Sequence, residues 1–244
     1  MTLVQKQPNI HINNNIIMLH RNICSAGFNF TLLSRRVRQL AHFPPSGLGR
    51  FFPPHFFAKN SITSRHLPAL YDHPTLPCPA VYSLHTEITY LNDGNVHLQY
   101  ILCGNPAHLY IPSPLPATFA DGLWEHTCFE AFIGVQNEDS YREFNFSPSG
   151  RWAAYAFSTY RERVTWTTAH DPRISITRTD SELRLEAFIT AADLPPNPAG
   201  KPLQLGLTAV LEMQDGSKSY WALEHPAERP DFHHRNGFAH EIWP

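Results

Sequence analysis

The sequence predicts an all-β chain folded as an antiparallel β-sandwich. Three observations carry this. Short runs with apolar residues at every second position recur along the chain, Gly, Pro and Asp turn signals separate them, and no stretch sustains a helical period of 3.6 residues. Many short strands without intervening helices cannot make layered helix-on-sheet architectures, which leaves sheet packed on sheet.

Residues 1–66 stand apart. They mix Asn, Pro, Phe and Arg without periodicity, and residues 1–71 hold eight Lys or Arg and no Asp or Glu, a charge of +8 against −10 for the remainder. So sharp an asymmetry predicts two parts rather than one compact unit. The expected division is 1–66, a disordered basic extension, followed by one domain over 67–244. The extension reads either as translated sequence ahead of the true start or as a targeting segment, its acid-free, Arg-bearing composition (Arg35, Arg36, Arg38, Arg50) matching an organelle transit peptide. Ile16-Ile-Met-Leu19 is too short for a secretory h-region, and no apolar run is long enough to span a bilayer.

In the 67–244 part, Pro68, Pro74, Pro77 and Pro79 give an extended entry. Glu87–Leu91 and Val96–Cys103 read as a hairpin closed by Asp93-Gly94, with Val96, Leu98, Tyr100 and Leu102 on one face. Pro106, Pro112, Pro114 and Pro116 mark an edge or loop segment, since proline cannot donate to a ladder. Strands follow at His126–Ile133, Tyr141–Phe146 and Trp152–Phe157, the last two joined by the Ser147-Pro-Ser-Gly150 turn. Arg173–Thr179 pairs with Glu182–Ile189, Leu203–Leu211 alternates cleanly, Asp215-Gly216 closes a hairpin onto Ser219–Leu223, and a polar loop leads to a last strand at Phe238–Ile242. Cys78, Cys103 and Cys128 form no CxxC pair and are odd in number, so reduced thiols and a cytoplasmic location are expected.

Side-chain parity places Phe129, Ala131 and Ile133 against Phe144 and Phe146, burying one sheet face. The opposite face then gathers His126, Glu130, Glu143 and Asn145, because paired side chains lie about 5 Å apart. Trp152, in step with the small Ala154 and Ala156, is the expected stacking platform beside them. A flat ring with fixed carboxylate and amide partners suits a polyhydroxylated ligand, whose C–H faces stack while its hydroxyls are held. Asp231, His233 and His234 are the expected loop wall. Glycoside cleavage needs two carboxyls at a set separation; Glu125 and Glu130 differ by an odd number, and nothing in the sequence marks Glu130 or Glu143 as protonated. No catalytic set and no metal site are expected, since neither His126/Cys128/Glu130 nor Asp231/His233/His234 has a known ligand spacing. The acidic domain argues against nucleic acid as a partner, and the sequence singles out no protein partner.

Three blocks resemble a known family: Asp121-Gly-Leu-Trp-Glu-His-Thr-Cys-Phe-Glu-Ala-Phe132, Tyr141-Arg-Glu-Phe-Asn-Phe-Ser-Pro-Ser-Gly-Arg-Trp-Ala-Ala-Tyr155, and Ser219-Tyr-Trp-Ala-Leu-Glu-His-Pro-Ala-Glu-Arg-Pro-Asp-Phe-His-His-Arg235. They are similar to DOMON-like domains of the family 9 carbohydrate-binding-module (CBM9-like) superfamily, in its small bacterial branch, over about residues 67–243. The resemblance implies a β-sandwich whose relatives bind sugars or haem and are not hydrolases. Sugar binders of the family hold the ligand between tryptophans, and Trp124, Trp152 and Trp221 fall in the matching blocks. Haem-binding relatives use Met and His as axial ligands, for which Met213 is the candidate methionine. The expectation is a non-catalytic module for carbohydrate or another small polar ligand, with no cofactor. The alternatives are a haem-binding redox domain and an intracellular scaffold.

Overall fold

The structure is a computed structural model that describes residues 62–244. The expected extension lies outside the described residues except for its end, Ile62–His66, which forms a strand. Among the described residues no helix is long and apolar enough to cross a membrane.

Among the described residues thirteen strands, all paired antiparallel, form two sheets joined through one shared strand. The first contains β5 (Cys128–Val135), β6 (Tyr141–Phe146), β7 (Trp152–Thr159), β8 (Glu162–Val164), β11 (Leu203–Glu212) and β12 (Lys218–Ala222), in the order β8-β7-β6-β5-β11-β12. The short β13 (His240–Ile242) continues the β11 edge beyond the reach of β12. The second sheet runs β2-β3-β4-β10-β9, with β2 (Ala69–Asp72), β3 (Val81–Leu91), β4 (Val96–Gly104), β10 (Glu182–Ile189) and β9 (Arg173–Arg178). The opening strand, β1 (Ile62–His66), pairs with β3. One strand belongs to both sheets: Ala69 and Leu70 of β2 pair with β3, while Tyr71 and Asp72 pair with β12. Switching partners along a single strand is how a sandwich turns a corner.

The predicted hairpins are present. Gly94 and Gly216 adopt φ of +81° and +83°, the left-handed conformation that the Asp-Gly turns require. Alternation places Val96, Leu98, Tyr100 and Leu102 of β4 and Leu183, Leu185, Ala187 and Ile189 of β10 against Phe129, Ala131, Ile133, Phe144 and Phe146 of the facing sheet. Tyr100 joins the layers: its ring lies 5.1 Å from that of Phe129, and its buried hydroxyl donates to the Glu130 carbonyl at 2.7 Å. A buried phenol without that partner would carry an unmet donor. Cys78 and Cys128 are buried free thiols, and Cys103 is disulfide-bonded where the sequence predicts a thiol.

A second, smaller apolar cluster covers the outer face of the first sheet. Phe132, Tyr141, Ala153, Tyr155 and Phe157 meet Phe238, Phe232 and Leu123, which arrive on two loops. Residues of this parity would normally face water. Here they hold the 119–127 and 224–239 segments down, and so build walls around a cleft.

Candidate functional site

The cleft has a volume of about 460 Å³ and a floor formed by β5, β6, β7, β11 and β12. Glu130 and Phe132 project from β5, Glu143 from β6, Phe157 from β7, and Lys218 and Tyr220 from β12. Strand register explains the grouping. Glu130 pairs with Asn145 and Phe132 with Glu143, so these four share the face opposite Phe129, Phe144 and Phe146. Trp124 and Glu125 enter from a single 3-10 turn, Leu123–Glu125, launched by Gly122 at φ +74°. Phe232 and His233 form the opposite wall, and Arg161 and Arg163 close one end.

The carboxyl groups are the most buried part of the site. Glu130 is 3% exposed and accepts from Thr208 Oγ1 at 3.3 Å. Burial pushes its carboxyl well above the usual range, and the nearby Glu143 pushes it further. Glu143 is 5% exposed and accepts from Asn145 Nδ2 at 2.6 Å. Burial raises its pKa to about 7, although Asn145, Arg163 and Arg161 all favour the ionised form. His233 Nε2 lies 3.7 Å from Glu143 Oε2, too far for a hydrogen bond. The Tyr141 hydroxyl accepts from the Arg161 N–H at 3.1 Å and lies 2.8 Å from His233 Nδ1. One arrangement satisfying both contacts has Tyr141 donating to Nδ1, with the imidazole neutral and its proton on Nε2. Burial, aided by Arg161, lowers the His233 pKa to about 4. Between about pH 4 and pH 7 the two groups therefore meet as a neutral acid and a neutral imidazole rather than as an ion pair.

Asp231 is a clamp rather than a cleft group. It accepts from Tyr160 Oη at 2.7 Å, from Arg161 at 2.8 Å and from the His233 N–H at 3.2 Å, tying the 224–239 loop to the β7–β8 turn. Asn145, fully buried, supports Glu143 from beneath. Of the predicted residues, then, the structure brings Trp124, Glu130, Glu143 and His233 to one cleft, with Asn145 and Asp231 directly behind it.

Four predicted positions fall elsewhere. Trp152 pairs with Phe146 across the Ser147–Arg151 turn, so it shares the core-facing side and is 6% exposed. The outward positions of β7 are Ala153, Tyr155 and Phe157. Trp152 borders a separate cavity of about 610 Å³ at the β8 edge, with Phe119 and Trp166. Trp221 pairs with the core residue Ala209, is 5% exposed, and donates its indole N–H to Ser219 Oγ at 3.0 Å. His126 lies just ahead of β5, so strand parity does not govern it; its Nδ1 sits 2.6 Å from Glu212 Oε2, and neither residue lines the cleft. His234 caps the 3-10 turn Arg235–Gly237, accepting from the Asn236 N–H. Met213 packs against the main core. Among the described residues no group of three or more His, Cys, Asp and Glu side chains is placed to hold a metal ion.

The sequence reading missed Arg161, Arg163, Lys218, Tyr220 and Phe232. The spacing of Arg161, in the β7–β8 turn, and Arg163, on the short edge strand β8, was a signal for two neighbouring cations. Nothing local shows that the chain beyond Glu224 folds back to deliver Phe232.

No family model and no curated protein matches the chain. Solved structures do. A Bacteroides uniformis protein proposed to bind carbohydrate superposes with a TM-score of 0.51 at 15% identity, covering 71% of this chain and 83% of that one. A family 9 carbohydrate-binding module from Caldicellulosiruptor kristjanssonii in complex with cellotriose gives a TM-score of 0.32 at 11% identity, covering 63% of this chain and 72% of that module. The first likeness shows the fold. It is the antiparallel β-sandwich that the sequence predicts.

Proposed function

We propose that this chain is a non-catalytic carbohydrate-binding module whose ligand occupies the outer-face cleft. The observation that supports it most is the composition of the cleft. The Trp124, Tyr220 and Phe232 rings offer apolar faces, and Glu143, Arg161, Arg163 and Lys218 offer fixed polar partners around a volume of about 460 Å³. That volume lies within the roughly 300–1,000 Å³ usual for small-molecule sites. Stacking of a sugar ring on an indole contributes apolar contact, and the surrounding charged groups set the orientation of its hydroxyls. The fold shared with a protein proposed to bind carbohydrate points the same way.

The test is thermal unfolding of the full chain against a panel of mono- and oligosaccharides, with Trp124→Ala alongside. A ligand at 100 times its Kd adds about 2.7 kcal/mol, which for a domain of this size raises the midpoint by roughly 5–10 °C. A saccharide-specific rise that disappears in folded Trp124→Ala is the expected result. A rise undiminished by that substitution would move the ligand out of this cleft. A Soret band in the purified protein would instead favour the haem-binding reading.

A further inference from the structure

We propose that the cavity at the β7–β8 edge is a second ligand site, and that it takes a neutral sugar unit. The class of ligand rests on the carbohydrate reading. The site itself rests on the geometry of the sheet edge, and it shares only Arg163 with the outer-face cleft.

The cavity exists because β7 loses its edge partner over one stretch. At one end, Trp152 donates its backbone N–H to the Thr118 carbonyl at 3.3 Å and accepts from the Ala120 N–H at 2.9 Å. At the other end, Ala156 pairs with Val164, the last residue of β8. Backbone groups turn to the same edge at every second residue of a strand. Ala154 therefore presents its N–H and C=O on the side used by Trp152 and Ala156. No described segment pairs with it there, because residues 165–168 leave the ladder. From Trp152 to Ala156 the interrupted edge spans about 13 Å, at roughly 3.3 Å per residue. The cavity over it has a volume of about 610 Å³, with Ala154 in its lining. A ligand there finds a backbone donor and acceptor that the sheet has not used.

The walls decide what fits. Phe119 is 52% exposed, its ring edge-on to Trp152 at 5.6 Å and to Tyr155 at 6.3 Å, and it stands clear of the core as a stacking surface. Trp166 lines the cavity as well, held by the Arg142 guanidinium 4.1 Å from its centroid. The Trp152 indole N–H is buried without an acceptor, an unmet donor that a ligand oxygen entering beside it would satisfy. Thr118, Thr165, Thr167 and Thr168 add hydroxyls, which both donate and accept. The charged residues of the lining are Arg163 and Asp171, one of each sign. Arg163 is already engaged, stacked on Tyr155 at 3.6 Å with Asp121 at 3.8 Å. The site therefore favours neither a cation nor an anion.

An extended peptide adding to β7 would run into the 118–120 segment at one end and β8 at the other. A compact ring fits between them. A pyranose or furanose offers C–H faces to Phe119 and hydroxyls to Ala154 and the threonines. With fewer charge-assisted partners than the outer-face cleft, this is the weaker site, filled at sugar concentrations above those that saturate the cleft.

The experiment is a proton–nitrogen NMR titration of the full chain, following the assigned indole N–H signals of Trp152 and Trp124. The probes are glucose, xylose, cellobiose and maltose, with glucuronate and glucosamine as charged counterparts. Expected is a saturable movement of the Trp152 signal with at least one neutral sugar. It should persist in Trp124→Ala, and its Kd should weaken about fivefold to tenfold in Phe119→Ala, the range of one aromatic stacking contact. A Trp152 signal that stays still while that of Trp124 moves would overturn this inference and leave the outer-face reading standing. A Trp152 movement that vanishes in folded Trp124→Ala would be relayed from the cleft, and would overturn it too. An unchanged Kd in folded Phe119→Ala would overturn the assigned seat, and tighter binding of glucuronate or glucosamine than of glucose would overturn the neutral class. Silence of both signals with every sugar, together with no response from the wider saccharide panel, would remove both readings.

Discussion

The close approach of Glu143 and His233 has a measurable consequence for stability. Glu143 is raised by burial from an ordinary 4.5 to about 7, and His233 is lowered by burial from 6.5 to about 4. For Glu143 the folded protein holds a proton that the unfolded chain releases between pH 4.5 and 7, so its contribution falls as pH rises through that window. At about 1.4 kcal/mol per tenfold, the full effect is about 3 kcal/mol of destabilisation above pH 7. His233 acts with the opposite sign. The unfolded imidazole takes up a proton below pH 6.5 that the folded one refuses down to about 4, so stability is lost as pH falls. The two slopes oppose each other between about pH 4.5 and 6.5. Chemical denaturation across pH 4–8.5 should therefore show a shallow profile for the unaltered protein. Glu143→Gln should unmask a profile that climbs with pH and gain up to about 3 kcal/mol at pH 8, with little gain at pH 4.5. His233→Gln should unmask a profile that falls with pH above 4.5. A Glu143→Gln protein that loses stability specifically near pH 6 would mean that the pair exists as carboxylate and imidazolium, and would refute the reasoning.

Further outcomes follow from packing. Trp152→Ala should cost about 3–5 kcal/mol, because it empties a core position. Trp124→Ala, at a side chain 39% exposed, should cost under about 1 kcal/mol; parallel denaturant melts check the contrast. Gly104→Ala should destabilise by roughly 1–3 kcal/mol, since its Cβ would run into the Ala80 carbonyl oxygen and lie 2.9 Å from the Val81 Cα, both backbone atoms that cannot swing aside. An unchanged unfolding midpoint would show that the β3 backbone at Ala80–Val81 can yield to a methyl group.

The fold was legible wherever one residue decides a local geometry. Asp93-Gly94 and Asp215-Gly216 specify their hairpins, and the alternation in β4, β10 and β11 states which side is buried. Pairing Phe129 and Ile133 with Phe144 and Phe146 also placed Glu130, Glu143 and Asn145 correctly together. Register was harder. Whether Trp152 faces inward depends on which residue it meets across the Ser147–Arg151 turn, and a shift by one residue reverses the face. His126 fell outside parity because a 3-10 turn interrupts the chain just before β5. The walls were least legible, because Phe232 and His233 reach the cleft through a long loop held by Asp231, Arg161 and Tyr160, contacts some 70 residues apart in sequence.

The most direct measurement is a crystal structure of the protein with the saccharide that stabilises it most. Our account predicts sugar density in the outer-face cleft, stacked on Trp124 and within hydrogen-bonding distance of Glu143 and Arg163. Density in the cavity beside Trp152 and Phe119, with the outer cleft empty, would contradict it.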